Sequence, residues 1–167
     1  MNYWVTTDTH LGHDKMKEYC GRPYNFSEKI LKNLSLTIKH DDILIHIGDV
    51  CIGNDAYWHE QLSLIPMTKW LVRGNHDRKS NIWYLTHGWS FVGDYFKMYM
   101  CDKSILFSHK PIIDIGYDIN IHGHFHNNDH RTYEPELVAI KNDKQILLCI
   151  EHHYQLFKLE TIIKKGI

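Results

Sequence analysis

Five short segments of the 167-residue chain carry side chains able to bind a metal: Asp8-Thr9-His10, Gly48-Asp49, Gly74-Asn75-His76-Asp77, Ser108-His109 and His122-Gly123-His124-Phe125-His126. Their donors are carboxylates, imidazoles and one amide, with no thiolate needed, a set that suits Mn²⁺, Fe or Zn²⁺ and fits a purely soft-metal site badly. In extended chain, residues two apart point to the same side. Asp8 and His10 can therefore grip one ion, and so can two of His122, His124 and His126. Adjacent residues diverge, which lets Asn75 face a metal while His76 faces something else. Glycine before Asp49, Asn75 and His124 permits close backbone approaches that a Cβ would forbid. At least seven candidate ligands exceed what a single ion can coordinate, so the pattern points to two.

Each of these segments follows an apolar run. Tyr3–Thr7, Ile43–Ile47, Lys69–Val72, Ser104–Phe107 and Ile119–Ile121 are short, often β-branched and bounded by Gly, Asp or Asn, and they read as buried strands. Between the first three lie segments of helical period. Ile30, Leu31, Leu34 and Ile38 recur at three- and four-residue steps after Ser27, which is the expected N-cap. Trp58, Leu62 and Ile65 do the same after Asn54, and Lys79–His87 is expected to form a third helix closed by Gly88. Alternating strand and helix implies a parallel sheet covered on both faces. Ligands in such sheets bind in the crevice beyond the carboxyl ends of the strands, where the five segments converge. In the second half, Phe96–Met100, Ser104–Phe107, Leu137–Lys141, Ile146–Ile150 and Gln155–Leu159 follow one another through short turns such as Asn142-Asp143, and read as antiparallel hairpins. Thr161–Lys165 is expected to close the chain as a short helix. With no repeat and no linker-like composition, residues 1–167 are expected to form one domain.

In this order, Asp8-x-His10, Gly48-Asp49, Gly74-Asn75-His76-Asp77, His109 and Gly123-His124-x-His126 resemble the signature of the calcineurin-like metallophosphoesterases, here of the small single-domain type, over about Asp8 to His126. The resemblance implies an α/β fold, an αββα sandwich of mixed sheets flanked by helices, with a binuclear metal site at the carboxyl ends of strands. It implies that Asp8, His10 and His126 hold the first ion, that Asn75, His109 and His124 hold the second, and that Asp49 bridges them. It also assigns His76 to the leaving oxygen of the substrate and Asp77 to orienting that imidazole. His122 is not expected to be a ligand, because the family places glycine before the first histidine of that motif. Gly12-His13 and Tyr19-Cys20-Gly21-Arg22-Pro23 resemble one branch of the family. His13 is thus either a substrate-binding or a structural histidine. Arg22 is either a substrate phosphate contact, since guanidinium pairs bidentately with phosphate, or an arginine packed in a turn.

Two ions about 3.5 to 4 Å apart bind phosphoryl oxygens, offset the charge that develops during displacement and acidify a bridging water, whose hydroxide attacks. A protonated His76 would donate to the departing oxygen, and no covalent phosphoenzyme is expected. The expected cofactor is a pair of divalent ions, manganese first, with iron, zinc or nickel as alternatives.

Composition narrows the substrate. There are 19 Lys and Arg against 20 Asp and Glu, a formal charge of −1, with 43% hydrophobic and 23% charged residues. These values exclude a disordered or low-complexity chain. A balanced charge does not advertise the basic surface that nucleic acid or an anionic membrane requires. The expected activity is therefore hydrolysis of a small phosphomonoester or phosphodiester, nucleotides among them. The alternative is a nuclease acting on DNA or RNA. A non-catalytic scaffold of the same fold is the third reading, disfavoured because no ligand is missing and His76 is present. No apolar run reaches the roughly 18 to 20 residues of a membrane span, and Met1–Leu11 lacks a basic segment followed by an apolar one, so the chain is read as cytoplasmic. Cys20, Cys51, Cys101 and Cys149 are too dispersed for a zinc or redox motif and are expected to be free, mostly buried thiols. His40, His59, His87 and His130 are expected to be surface or loop residues, and Trp58, Trp70, Trp83 and Trp89 to belong to the core. His152-His153 receives no role, and Lys164-Lys165 is a solvated tail. Oligomeric state is not legible.

Overall fold

The computed structural model describes residues 1–113, 116–127, 143–152 and 154–165. Its elements in chain order are β1 (Tyr3–Thr6), α1 (Met16–Cys20), α2 (Phe26–Thr37), β2 (Ile43–His46), α3 (Asp55–Ser63), β3 (Thr68–Val72), α4 (Asn81–Thr86), β4 (Phe91–Gly93), β5 (Tyr95–Met100), β6 (Lys103–Ser108), β7 (Ile119–His122), β8 (Gln145–Leu147), a 3₁₀ turn at Ile150–His152, β9 (Phe157–Lys158) and α5 (Leu159–Lys165). They form two mixed sheets, ordered β4-β3-β2-β1-β9 and β5-β6-β7-β8, flanked by helices.

The first sheet follows the sequence expectation. Strands β1 to β4 are parallel, and only β9 runs antiparallel, beside β1. Alternation along β2 shows how the layers are specified. Leu44 enters the core shared with α2, α3 and α4, while Ile43, Ile45 and Ile47 enter a second core between the sheets. The same period-two division sends Leu71 of β3 to the helices and Val72 to the other sheet. Trp70 joins the layers, meeting Phe96 of β5 edge-on at 5.7 Å, and Phe96 stacks on Phe107 of β6 at 4.8 Å. Helix α2 buries Phe26, Ile30 and Leu34, the three- and four-residue spacing of one helical face.

The second sheet departs from expectation. Among the described residues, β5 and β6 form a hairpin, while β7 runs parallel to both β6 and β8. Parallel pairing puts the carboxyl ends of β6 and β7 at the same edge, where His109 and the His122–His126 segment emerge together. Leu137–Lys141, Asn142 and His130 lie outside the described residues. Gln155–Leu159, expected as a strand, contributes the two residues of β9 and then enters α5, which closes the chain as predicted and buries Leu159, Ile162 and Ile163.

Cap chemistry differs at one helix. Asn54 caps α3, accepting from the Tyr57 N–H at 3.2 Å, and Ser80 caps α4, accepting from the Trp83 N–H at 3.2 Å. Ser27 is not a cap. It lies inside the first turn of α2, where its hydroxyl oxygen accepts from the Gly12 N–H at 3.0 Å. His59 is a second correction: it is buried rather than superficial, and its Nδ1 accepts from the Trp89 indole N–H at 2.8 Å. Cys20, Cys51 and Cys149 are buried and Cys101 exposed, all four as free thiols. No helix among the described residues is long and apolar enough to cross a membrane.

Candidate metal centre

The connections that leave β1 and β2, and those that leave β6 and β7, are stapled in pairs by backbone hydrogen bonds, and the Asp77 carboxylate ties the connection after β3 to the one after β2. The loop after β1 pairs with the loop after β2 through the N–H groups of Asp8, His10 and Leu11, which donate to the carbonyls of Gly48, Asp49 and Val50 at 2.9 to 3.0 Å. The Gly123 N–H, after β7, donates to the His109 carbonyl after β6 at 3.0 Å. Two bonds then cross between the sheets. The His124 N–H donates to Asp8 Oδ2 at 2.9 Å, and His109 Nδ1 meets the Ile47 carbonyl at 2.8 Å. The site therefore sits on a seam to which both sheets contribute.

The loops are bent into conformations that side chains rarely adopt. Asp8, His10, Asp49, His124 and His126 all have positive φ, between 44° and 76°. Non-glycine residues in the left-handed region are uncommon and concentrate where function demands an unusual side-chain direction. Two glycines make the bends fit. A Cβ at Gly123 would stand 2.0 Å from Thr7 Oγ1 and 2.2 Å from Asp8 Oδ2, and one at Gly74 would stand 2.1 Å from Asp49 Oδ1.

The two carboxylates share one design: one oxygen anchors and the other faces the site. Asp8 Oδ2 accepts from the Thr7 hydroxyl and the His124 N–H, while Asp8 Oδ1 is buried with no hydrogen-bond donor. Asp49 Oδ1 accepts from the His76 N–H at 2.9 Å. Asp49 Oδ2 faces His109 Nε2 at 3.4 Å, His10 Nε2 at 3.6 Å and His76 Nε2 at 4.0 Å. Around it the remaining donors fall into two groups. Asp8 Oδ1 and His126 Nε2 approach to 3.7 Å on the His10 side, and His10 and His126 stack with their rings 5.1 Å apart. On the other side His109 Nε2 lies 3.1 Å from Asn75 Oδ1 and 3.2 Å from His124 Nδ1. Ligand atoms of Asp8, His10 and His126, and separately of Asp8, Asp49 and His109, cluster tightly enough to share an ion. A buried carboxylate oxygen without a donor, and imidazole nitrogens and an amide oxygen crowded around it, are the donor chemistry a pair of hard or borderline cations requires.

Electrostatics agree. Burial disfavours charge on both His109 and His126, yet neighbouring carboxylates prevail. Asp49 and Asp8 push His109 up to about 9, and Cys20, Glu151 and Asp8 push His126 up to about 10. Burial also opposes ionisation of Asp49, but His109, His10 and the His76 N–H hold its carboxyl well below the usual range. The interior of the site thus has a negative potential that draws positive charge.

Two candidate site residues do not take the roles assigned to them. Asp77 does not reach the His76 ring through any hydrogen bond; its carboxylate accepts from the N–H groups of Asp49, Val50 and Gly74 at 2.7 to 3.1 Å. It therefore shapes the loop that carries Asp49, and burial raises its pKa to about 6 against those three donors. Arg22 turns inward with its side chain fully covered, donating to Glu151 and to the carbonyls of Asp8 and Thr9, so no part of its fork faces a substrate phosphate. Glu151 carried no expectation at all. It sits on the 3₁₀ turn after β8 and accepts from His126 Nδ1 at 2.9 Å. No local motif marks it; the only sequence cue is a lone acid ending the apolar run Ile146–Ile150.

A cavity of about 420 Å³ opens over the centre, lined by His10, Asp49, Asn75, His76, His124 and His126, with His13, Lys15, Met16 and Tyr19 forming the wall beside α1. The His76 side chain is 37% exposed there. His122, on β7, sets its Nδ1 against the Gly123 carbonyl at 3.1 Å.

Comparison with known proteins identifies the family. The chain matches the family model for calcineurin-like phosphoesterases over residues 1–161. The uncharacterized protein MJ1445 of Methanocaldococcus jannaschii is 26% identical over 177 residues, spanning 96% of this chain and 89% of that one. In structure, the protein of unknown function AQ665 from Aquifex aeolicus superposes with a TM-score of 0.76 at 24% identity, covering 98% of each chain. The Pseudomonas putida nuclease MPE aligns at 18% identity and a TM-score of 0.49, over 74% of this chain and 61% of its own. Seven metal-capable side chains on five strand ends, in this order and on this fold, therefore have a family: the chain belongs to the calcineurin-like phosphoesterases, metal-dependent hydrolases of phosphoric esters.

Proposed function

We propose that the protein hydrolyses a small phosphomonoester or phosphodiester, nucleotides among the candidates, with two divalent ions, manganese first. The observation that carries this reading is the half-anchored state of Asp8 and Asp49, each fixed through one oxygen and presenting the other to a ring of imidazole and amide donors. Asp8, His10 and His126 would hold one ion, Asn75, His109 and His124 the other, and Asp49 Oδ2 both. When bound, the ions neutralise phosphoryl oxygens and lower the pKa of a shared water so that hydroxide is available near neutral pH.

The chain's own residues do the rest. The ligand set holds only two formal negative charges, on Asp8 and Asp49, so the loaded centre keeps a net positive charge for an anionic ester. His76, half-exposed above Asp49, holds a proton on Nε2 for the leaving oxygen. Asn75 lies beside His109 Nε2 and His76 borders the cavity near Asp49 Oδ2, so the amide would hold an ion and the imidazole would serve the substrate. His13, Lys15 and Tyr19 line the approach and suit a substrate of modest size.

The test is hydrolysis by purified protein with Mn²⁺ of paired chromogenic monoesters and diesters, then of nucleotides, cyclic nucleotides and single-stranded DNA. Turnover that requires Mn²⁺ and stops on chelation is the expected result. Turnover untouched by chelation would overturn the reading, and strong preference for DNA over small esters would replace it with a nuclease.

A further inference from the structure

We infer that Glu151 and Arg22 form a positioning pair that sets the affinity of the first ion subsite, an inference that rests on the two-ion reading above. Glu151 reaches the site from the 3₁₀ turn, 25 residues from His126 and 129 from Arg22 in sequence. Its Oε1 accepts from His126 Nδ1 at 2.9 Å and from Arg22, through Nε at 3.0 Å and through Nη2, and its Oε2 accepts from the Cys149 thiol at 3.2 Å. Arg22 Nη1 and Nη2 also donate to the Thr9 and Asp8 carbonyls at 2.7 and 2.6 Å. The Arg22 side chain is 0% exposed and that of Glu151 3%.

Burying such a pair costs solvation that stability alone does not justify. Its geometry supplies a reason. The carboxylate accepts hydrogen from His126 Nδ1, which makes Nε2, 3.7 Å from Asp8 Oδ1, the nitrogen that would meet an ion. The guanidinium meanwhile grips the carbonyls on either side of the bend between Asp8 and His10, both of which hold positive φ. One ion pair thereby constrains all three expected ligands of the first ion, from two directions. The second group is held differently: His109 Nδ1 rests on the Ile47 backbone carbonyl and the His124 N–H on Asp8 Oδ2. Donor atoms of Cys20, His126 and Glu151 also cluster closely enough to hold a cation. A further ion there is disfavoured because Arg22 already occupies that carboxylate with a full positive charge.

The experiment titrates Mn²⁺ into metal-free wild type, Glu151→Ala, Glu151→Gln and Arg22→Lys, reading each ion's affinity by calorimetry and by the electron paramagnetic resonance of free Mn²⁺. Circular dichroism checks the fold. Glu151→Ala should weaken one ion by about 10- to 100-fold, the range for outer partners of metal ligands, and leave the other within about twofold. Glu151→Gln, whose amide oxygen still accepts from Nδ1–H, should fall between wild type and Glu151→Ala. Should Glu151→Ala fail to fold, Glu151→Gln and Arg22→Lys decide, and each should weaken the same single ion. Wild-type affinity at both subsites in a folded variant, or equal weakening of both, would overturn the pair's role while leaving the proposed function intact. A wild type that binds no pair of ions would overturn that function first.

Discussion

The two halves of the metal centre are supported in different ways. Asp8, His10 and His126 come from opposite ends of the chain and are held by a buried side-chain network through Arg22 and Glu151. Asn75, His109 and His124 are held otherwise: His109 Nδ1 rests on the Ile47 backbone carbonyl, the His124 N–H on Asp8 Oδ2, and the Asp77 carboxylate ties the Gly74–Asp77 loop to the N–H groups of Asp49 and Val50. A backbone support is set once the sheet has formed. A side-chain support depends on residues 129 positions apart and so can be removed by one substitution without disturbing the sheet. The centre should therefore come apart one subsite at a time, except at Asp49, which faces both.

The largest effect should come from that exception. Asp49→Asn replaces the shared carboxylate by an amide, a poor bridge. Both ions should weaken by more than about 100-fold, beyond the range of an outer-partner substitution, and turnover should go with them. Loss of one ion alone, by elemental analysis, would contradict the shared position. His76→Ala should separate chemistry from binding. Turnover should fall by about 10²- to 10⁴-fold, the worth of a positioned acid, with metal content unchanged; a fall in metal content would make His76 a support rather than a proton donor.

A third prediction sets the centre's histidines against a structural one. Burial, with His87 and Lys69 nearby, holds His59 down to about 4, below its ordinary 6.5. The unfolded chain takes up this proton first. The stability from neutral His59 is thus complete above about pH 6.5 and is lost as pH falls toward 4, on the order of 3 kcal/mol. His59→Leu should flatten that part of the stability profile in urea denaturation, and an unchanged profile would remove His59 as its cause. The smallest effect is expected from Ser27→Ala. Its hydroxyl accepts from Gly12 in the loop that follows His10, so stability should drop by about 1 kcal/mol with the second ion unaffected. Loss of helix content instead would return Ser27 to a capping role.

How far the sequence reached follows the same division. The five candidate segments that the fold brings together were legible because each is short, follows an apolar strand and carries its chemistry within a few residues. The helices after Asn54 and Ser80 were legible for similar local reasons. What escaped depends on distant pairing. Short apolar runs such as Ile146–Ile150 look alike whether their neighbour is parallel or antiparallel, so the pairing of β8 was misread. The Arg22 fork fits a carboxylate as well as a phosphate, and only the fold shows that Glu151 fills it. Asp77 stands beside His76 in sequence, yet its carboxylate points to the Asp49 loop, a choice set by backbone turns rather than by proximity.

The central claim is that the seven donors hold two ions side by side, with Asp49 between them. Electron paramagnetic resonance of protein loaded with two equivalents of Mn²⁺ tests it most directly. Two ions sharing a carboxylate should give an exchange-coupled multiline spectrum that collapses in Asp49→Asn. A spectrum of isolated ions, or binding that saturates at one per chain, would contradict the account.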